Sequence, residues 1–227
     1  MKMTGRKTIL VAAAHPDDEV LGCGGTILKH VDEGDDVHTV FMTNGVASRN
    51  DANDISVLER RDASKRASKL LGISSSTYLD FPDNEMDTVA VREVAAQIEI
   101  VMSTINPQVV YTHHYGDLNV DHRATYEATM VACRPQPQCN VREIYGFEIV
   151  SSTRWAAPEA NAFTPNVFVD ISKFLEGKLE VLKEYDLEMR QEPHARSYQH
   201  LRYLAKHRGY DVGLDSAEAF RLYRLMV

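Results

Sequence analysis

Six short runs of apolar and β-branched residues, at 8–13, 37–43, 77–79, 109–112, 143–149 and 167–170, punctuate the 227-residue chain. Between and after them lie longer amphipathic stretches, at 24–33, 56–71, 89–105, 121–133, 171–185 and 198–206. Strand-like and helix-like segments in alternation predict an α/β fold, Rossmann-like, with a mostly parallel sheet flanked by helices. The helix stops agree with this division. Gly72 follows Leu71, Asn106-Pro107 follows Ile105, Arg134-Pro135 follows Cys133, and Gly209 closes the last stretch. The segments 135–140 and 156–165 read as loops. With no repeat and no Pro/Gly/Ser-rich linker, a single domain over 1–227 is expected.

Composition narrows the partners. Hydrophobic residues make up 44% of the chain, enough for a substantial core. The formal net charge is −8 with both signs interspersed, so no basic face offers itself to a phosphate backbone and nucleic acid is excluded as a partner. Cys23, Cys133 and Cys139 are odd in number and lack C-x-x-C spacing, which favours reduced thiols. The apolar run near the amino terminus is cut short by His15-Pro16-Asp17-Asp18-Glu19, too early for a signal peptide, and nothing approaches the roughly 20 apolar residues of a membrane span. A cytoplasmic protein acting on a small molecule is expected, with a homo-oligomer left open.

In parallel sheets ligands gather beyond the carboxyl ends of the strands, so residues that directly follow a strand carry most information. The first strand empties into His15-Pro16-Asp17-Asp18-Glu19. Carboxylates crowded at a sheet edge repel one another and resist desolvation, and a cation is the simplest way to hold them. His15 and Asp18 suit one zinc ion at about 2.0–2.2 Å, leaving Asp17 and Glu19 free for other roles. The competing reading is a solvated loop in which Asp17 or Asp18 caps the following helix. Just downstream, Gly22-Cys23-Gly24-Gly25 suggests a dinucleotide loop, but Ile27 occupies the third glycine position of G-x-G-x-x-G. Those glycines more simply let the first helix approach the sheet.

The strand at 109–112 leads into His113-His114-Tyr115-Gly116-Asp117-Leu118-Asn119-Val120-Asp121-His122. A catalytic zinc commonly takes three protein ligands plus water, and His122, at a helix start, completes the set with His15 and Asp18. Asp121 beside it is placed to orient an imidazole or a carboxylate. His113 and His114 are adjacent at a strand end, so at most one faces the site.

Ala14-His15-Pro16-Asp17-Asp18-Glu19 and Asp117-Leu118-Asn119-Val120-Asp121-His122, about a hundred residues apart, together resemble the PIG-L/LmbE-like zinc-dependent de-N-acetylase family. The resemblance implies His15, Asp18 and His122 as zinc ligands, Asp17 as general base, and Arg60 as a substrate-contacting arginine. It also implies the LmbE-like version of the fold and removal of an acetyl group from an N-acetylated amino sugar or its conjugate. One departure stands out: many members carry H-x-D-H where this chain has Asn119-Val120-Asp121-His122. Any role of that first imidazole must be dropped or moved, leaving Asn119 to bond the base or the substrate.

Amide hydrolysis also needs a proton for the leaving amine, and Asp17 itself or His194, in the polar turn Glu192-Pro193-His194-Ala195-Arg196-Ser197, can supply it. Further substrate contacts are expected from Asp121, Arg196 and Trp155, the single tryptophan, which suits stacking on a sugar ring or packing in a core. Asp83, Asn84 and Asp87 suit either substrate hydroxyls or a helix cap. Two other functions compete: a metal-dependent phosphoesterase, which would want more carboxylates and often two metals, and a non-catalytic nucleotide-binding Rossmann module.

Overall fold

The computed structural model describes residues 5–48, 54–156 and 161–227. β1 (Thr8–Ala13) is buried along almost its whole length, as an apolar run without polar alternation requires of a central parallel strand. It pairs in parallel with β2 (Asp36–Phe41) on one side and β4 (Val109–His113) on the other. β3 (Ser75–Tyr78) extends the sheet beyond β2, and β5 (Glu143–Phe147) extends it beyond β4, again in parallel. β7 (Ala217–Leu225) then runs antiparallel between β5 and β6 (Val167–Asp170), giving the order β3-β2-β1-β4-β5-β7-β6. The mostly parallel α/β sheet expected from the pattern is present.

Alternate residues of β1 serve two cores. Ile9 and Val11 pack with α1 (Asp18–Asp32), α2 (Asp54–Leu71), α6 (Leu175–Val181) and α7 (Tyr198–Tyr210) through Ile27, Ala67, Leu179 and Leu201. Leu10 and Ala12 face the opposite layer, made by α3 (Val91–Ile105) and α4 (Val120–Ala132) through Ile98 and Ala128. The period of two along a strand therefore sorts its side chains between the two helical layers. A single turn, α5 (Ser152–Trp155), follows β5. Among the described residues, no helix is long and apolar enough to cross a membrane.

The structure departs from the sequence pattern in three places. α1 begins at Asp18 rather than at 24, and is interrupted at Cys23, whose φ of −147° is not helical. Gly22 and Gly25 explain the tight passage there. A Cβ on Gly22 would lie 2.4 Å from Phe147, and one on Gly25 would lie 2.9 Å from Ile171, so these glycines are packing points, as the defective dinucleotide motif suggested. The expected helix at 171–185 is shorter, and continues as a 3₁₀ segment, Leu182–Glu188, with Tyr185 out of helical geometry. β7 was not anticipated, because Ala217, Glu218, Ala219 and Phe220 are all buried and show no alternation.

The interruption of α1 is closed from β7. Glu218 accepts the backbone N–H groups of Gly25 (2.9 Å) and Thr26 (2.7 Å), which start the second half of the helix. Lys178 balances its charge at 2.6 Å, and also donates to the carbonyl of Leu21. Both side chains are buried. Glu218→Ala would strand the ammonium and two helix-starting amides, so it is expected to destabilise the fold by about 3–5 kcal/mol in chemical denaturation. Lys178→Met, which leaves no ammonium behind but uncovers the carboxylate, should also destabilise; a wild-type midpoint for either variant would refute this account.

Candidate metal centre and active site

From β1 the chain moves outward through β2 to β3 and then crosses back to place β4 on the other side of β1. This reversal opens a crevice at the carboxyl ends of β1 and β4, the usual ligand position in such sheets. Both motif segments start there.

Asp18 Oδ2 accepts the backbone N–H of His15 at 2.9 Å and lies 3.0 Å from His15 Nδ1. His122 Nε2 is 3.3 Å from the same oxygen and 3.2 Å from His15 Nδ1. Three potential donor atoms thus form a triangle with edges of 3.0–3.3 Å. Ligands about 2.0–2.1 Å from a tetrahedral ion stand roughly 3.3 Å apart, so the triangle matches one face of such a site. Asp18 Oδ1 is buried without a hydrogen-bond partner, an acceptor that a cation would also relieve.

Each imidazole is held from behind by a carboxylate. Asp121 Oδ2 lies 3.0 Å from His15 Nε2, and its two oxygens also accept the backbone N–H groups of Asn84 and Met86. Asp117 Oδ1 lies 3.1 Å from His122 Nδ1, while its other oxygen accepts from Ser152 and Thr153. Carboxylate contacts of this kind fix the tautomer, leaving His15 Nδ1 and His122 Nε2 to face an ion. Burial pulls the histidines' basicity down, but Asp121 and Asp18 push His15 up to about 10, and Asp18 and Asp117 push His122 up to about 9. The acids demand positive charge between them. Two protons or one divalent ion supply the same amount.

His113 sits beside this triangle without joining it. The backbone N–H of Ala14 donates to its Nε2 at 2.9 Å, and its ring stacks on His122 with centroids 3.9 Å apart. Burial, with the charge of His122, holds it well below the ordinary histidine range, so it is neutral and its Nε2 lone pair is already engaged. His114 points away, to the carbonyl of Asn161 and the hydroxyl of Tyr223. A second cluster, His15-Asp83-Asp121, shares His15. Its carboxylates are taken by backbone amides and by Thr43 and Ser48, which makes it a support for the first cluster.

Asp17 turns toward a different set of groups. Its backbone φ is 140°, and its side chain makes no cap bond although it precedes α1. Its Oδ2 meets Arg60 at 3.2 Å and Arg196 at 3.0 Å, and Arg60 is paired in turn with Glu188 at 2.7 Å. Burial raises the Asp17 carboxyl above its ordinary value against the pull of the two guanidinium groups. Glu19 reaches back to accept the Asp17 N–H at 2.9 Å and takes a hydrogen bond from the Tyr185 hydroxyl at 2.8 Å.

The turn carrying Arg196 also carries His194, which is exposed. The backbone N–H of Arg196 donates to His194 Nδ1 at 3.0 Å, and the ring meets Trp155 edge-on with centroids 5.8 Å apart. Trp155 is 57% exposed, which removes the core-packing reading. Asn119 caps α4, its Oδ1 accepting from the N–H groups of Asp121 (2.8 Å) and His122 (3.3 Å), and its Nδ2 donates to Asn84.

Residues 10–133 match the family described as PIG-L, GlcNAc-PI de-N-acetylase. The uncharacterized deacetylase YaiS of Escherichia coli is 34% identical over 185 residues, spanning 79% of this chain and 91% of that protein. This chain belongs to the PIG-L family. The diacetylchitobiose deacetylase of Thermococcus kodakarensis is 28% identical, over 95% of this chain and 82% of that one. The fold also matches the structure of N,N'-diacetylchitobiose deacetylase from Pyrococcus horikoshii, with a TM-score of 0.77 at 23% identity, covering 96% of this chain and 84% of that one.

Within this PIG-L chain, the triad expected from the motifs, His15, Asp18 and His122, converges, with Asp17 adjacent. Of the residues expected to touch substrate, Asp121 is fully buried behind His15, whereas Arg60, paired with Asp17 and Glu188, lines a cavity with Val46 and Tyr185. Asn119, Arg196 and Trp155 remain at the rim. Sequence reasoning assigned no role to Asp117, His113, Tyr185 or Glu188. Asp117 was discoverable from its spacing to His122; Tyr185 and Glu188 come from a segment with no local signal.

Asp121→Asn and Asp117→Asn should each weaken divalent-ion affinity by about 10–100-fold, whereas His15→Ala abolishes stoichiometric binding. Competition against a chromogenic chelator measures both. Equal affinities in the asparagine variants and the wild type would show that the carboxylates do not tune the imidazoles.

Proposed function

We propose that this protein is a zinc-dependent hydrolase that removes the N-acetyl group from an N-acetylated amino sugar or sugar conjugate. The convergence of His15, Asp18 and His122, with a fourth acid, Asp17, held apart from them, is the observation that carries the reading. A nitrogen/oxygen donor set of this kind suits zinc. When bound, zinc would lower the pKa of a water at the site and polarise the acetyl carbonyl.

The rest falls to the side chains. Asp17, adjacent to Asp18 but turned toward Arg60 and Arg196, accepts the proton of the water that attacks the acetyl carbon. Its raised basicity helps, because a base that must take a proton and release it works best with a pKa near the operating pH. Collapse of the tetrahedral species breaks the C–N bond, and the amine nitrogen takes a proton as acetate leaves. His194 can hand over a proton only when both of its ring nitrogens hold one; otherwise Asp17 returns to the amine the proton it took from the water. Trp155 offers an apolar face to a sugar ring, while Arg196 offers its guanidinium to the ring's hydroxyls.

The competing readings fit less well. Among the described residues the second cluster at this end of the sheet, His15-Asp83-Asp121, shares His15 with the first and has its carboxylates bonded to Thr43, Ser48, Asn84 and Met86, against a two-metal phosphoesterase. Gly22 and Gly25 are filled against Phe147 and Ile171, against a nucleotide loop.

The test is release of acetate from a panel of N-acetylated sugars by zinc-loaded protein, with loss on chelation and recovery on adding zinc. Asp17→Asn should bind zinc at wild-type stoichiometry while kcat falls by about 10²–10⁴-fold. A full complement of zinc with no turnover of any N-acyl sugar would refute the reading. His194→Ala should lower kcat by about 10–100-fold with KM little changed, and an unaltered kcat would leave Asp17 to serve both proton transfers.

A further inference from the structure

The backbone of Asp17 occupies a conformation that an aspartate seldom adopts, with φ 140° and ψ −28°. Such a geometry costs on the order of 1–3 kcal/mol and persists only where its surroundings enforce it. It also does something specific. It lets neighbouring acids diverge, so that Asp18 turns into the triangle with His15 and His122 while Asp17 turns to Arg60 and Arg196.

What enforces it is Glu19. In the usual capping box a glutamate three positions into the helix returns to the N-cap N–H. Here the second residue of α1 does so, with Glu19 Oε2 accepting the Asp17 N–H at 2.9 Å. The other oxygen, Oε1, accepts the Tyr185 hydroxyl at 2.8 Å. Tyr185 leaves helical geometry within the 3₁₀ segment Leu182–Glu188, and the guanidinium of Arg60 lies over its ring, 5.3 Å from the centroid. Glu19 and Tyr185 are both fully or almost fully buried. The pair therefore touches the base from two sides: through its backbone, and through the arginine that binds its carboxylate.

We propose that Glu19 and Tyr185 are positioning residues that lock Asp17 in its left-handed conformation and so aim the base, which makes the 3₁₀ segment near 185 a working part of the active site. The proposal rests on the reading of Asp17 as general base. Neither residue touches the substrate, and no proton passes through them. Glutamine at 19 can keep both contacts, its oxygen accepting the Asp17 N–H and its amide donating to a Tyr185 hydroxyl that turns to Ser64, with which it also bonds.

Purified zinc-loaded wild type, Glu19→Ala, Glu19→Gln and Tyr185→Phe distinguish the possibilities. Displacing a catalytic group by about 1 Å costs on the order of 10²-fold, so Glu19→Ala should lose about that much kcat with KM within about threefold and zinc content unchanged. Glu19→Gln should recover kcat to within about threefold of wild type, because it restores the contacts without the charge. Tyr185→Phe, which removes one oxygen at constant shape, should show the same pattern at about tenfold and serves if Glu19→Ala does not fold.

Hydrogen exchange of the Asp17 amide, followed by NMR, reads the lock without any substrate and should speed up in Glu19→Ala and Tyr185→Phe. Wild-type kcat and amide exchange in those two variants would overturn the proposal. So would a Glu19→Gln enzyme as slow as Glu19→Ala, since Glu19 would then act as a carboxylate. If the wild type deacetylates nothing yet the exchange difference is seen, the deacetylase reading fails and the lock stands.

Discussion

The crowding of Asp18, Asp117 and Asp121 around two imidazoles, at the crevice where β1 and β4 end, is the constraint on which the rest of the site depends. Buried carboxylates at these distances are stable only with positive charge among them. The fold supplies part of it through backbone amides, from His15 to Asp18 and from Asn84 and Met86 to Asp121. The remainder has to come from protons or from an ion. Because each imidazole is gripped from behind, its free nitrogen points inward, and the three donor atoms converge whichever cation is present.

Around that centre the charges fall into separate circuits. Asp17 and Asp18 are consecutive in sequence, yet Asp18 pairs with histidines and Asp17 pairs with arginines. The division is made by a single unusual φ at Asp17 and by groups from the far end of the chain: Tyr185, Glu188 and Arg196. All three lie beyond residues 10–133, the stretch that carries the family match. The candidate ion triad lies wholly in the shared part, whereas Asp17 is held by residues of both parts: Glu19 and Arg60 from the shared one, Tyr185, Glu188 and Arg196 from the carboxyl-terminal one.

The amino-acid sequence by itself determined the alternation of strands and helices, the crevice-facing motifs and the candidate ligands. Strand β1 matches its expected bounds because an uninterrupted apolar run leaves no other place for it than the centre of a parallel sheet. His15, Asp18 and His122 were legible for a related reason: charged and imidazole groups directly after a buried strand are costly unless something binds them. Three-dimensional structure alone decided matters that depend on residues far apart in the chain. β7 is buried without alternation, so its place in the sheet is set by its partners β5 and β6 rather than by its own period. Asp121 has a side chain suited to a ligand, but burial behind His15 commits it to the protein. Local patterns record what a segment must bury; which distant group meets it there is a property of the packed whole, since hydrogen bonds and ion pairs are fixed by distances that no linear spacing contains.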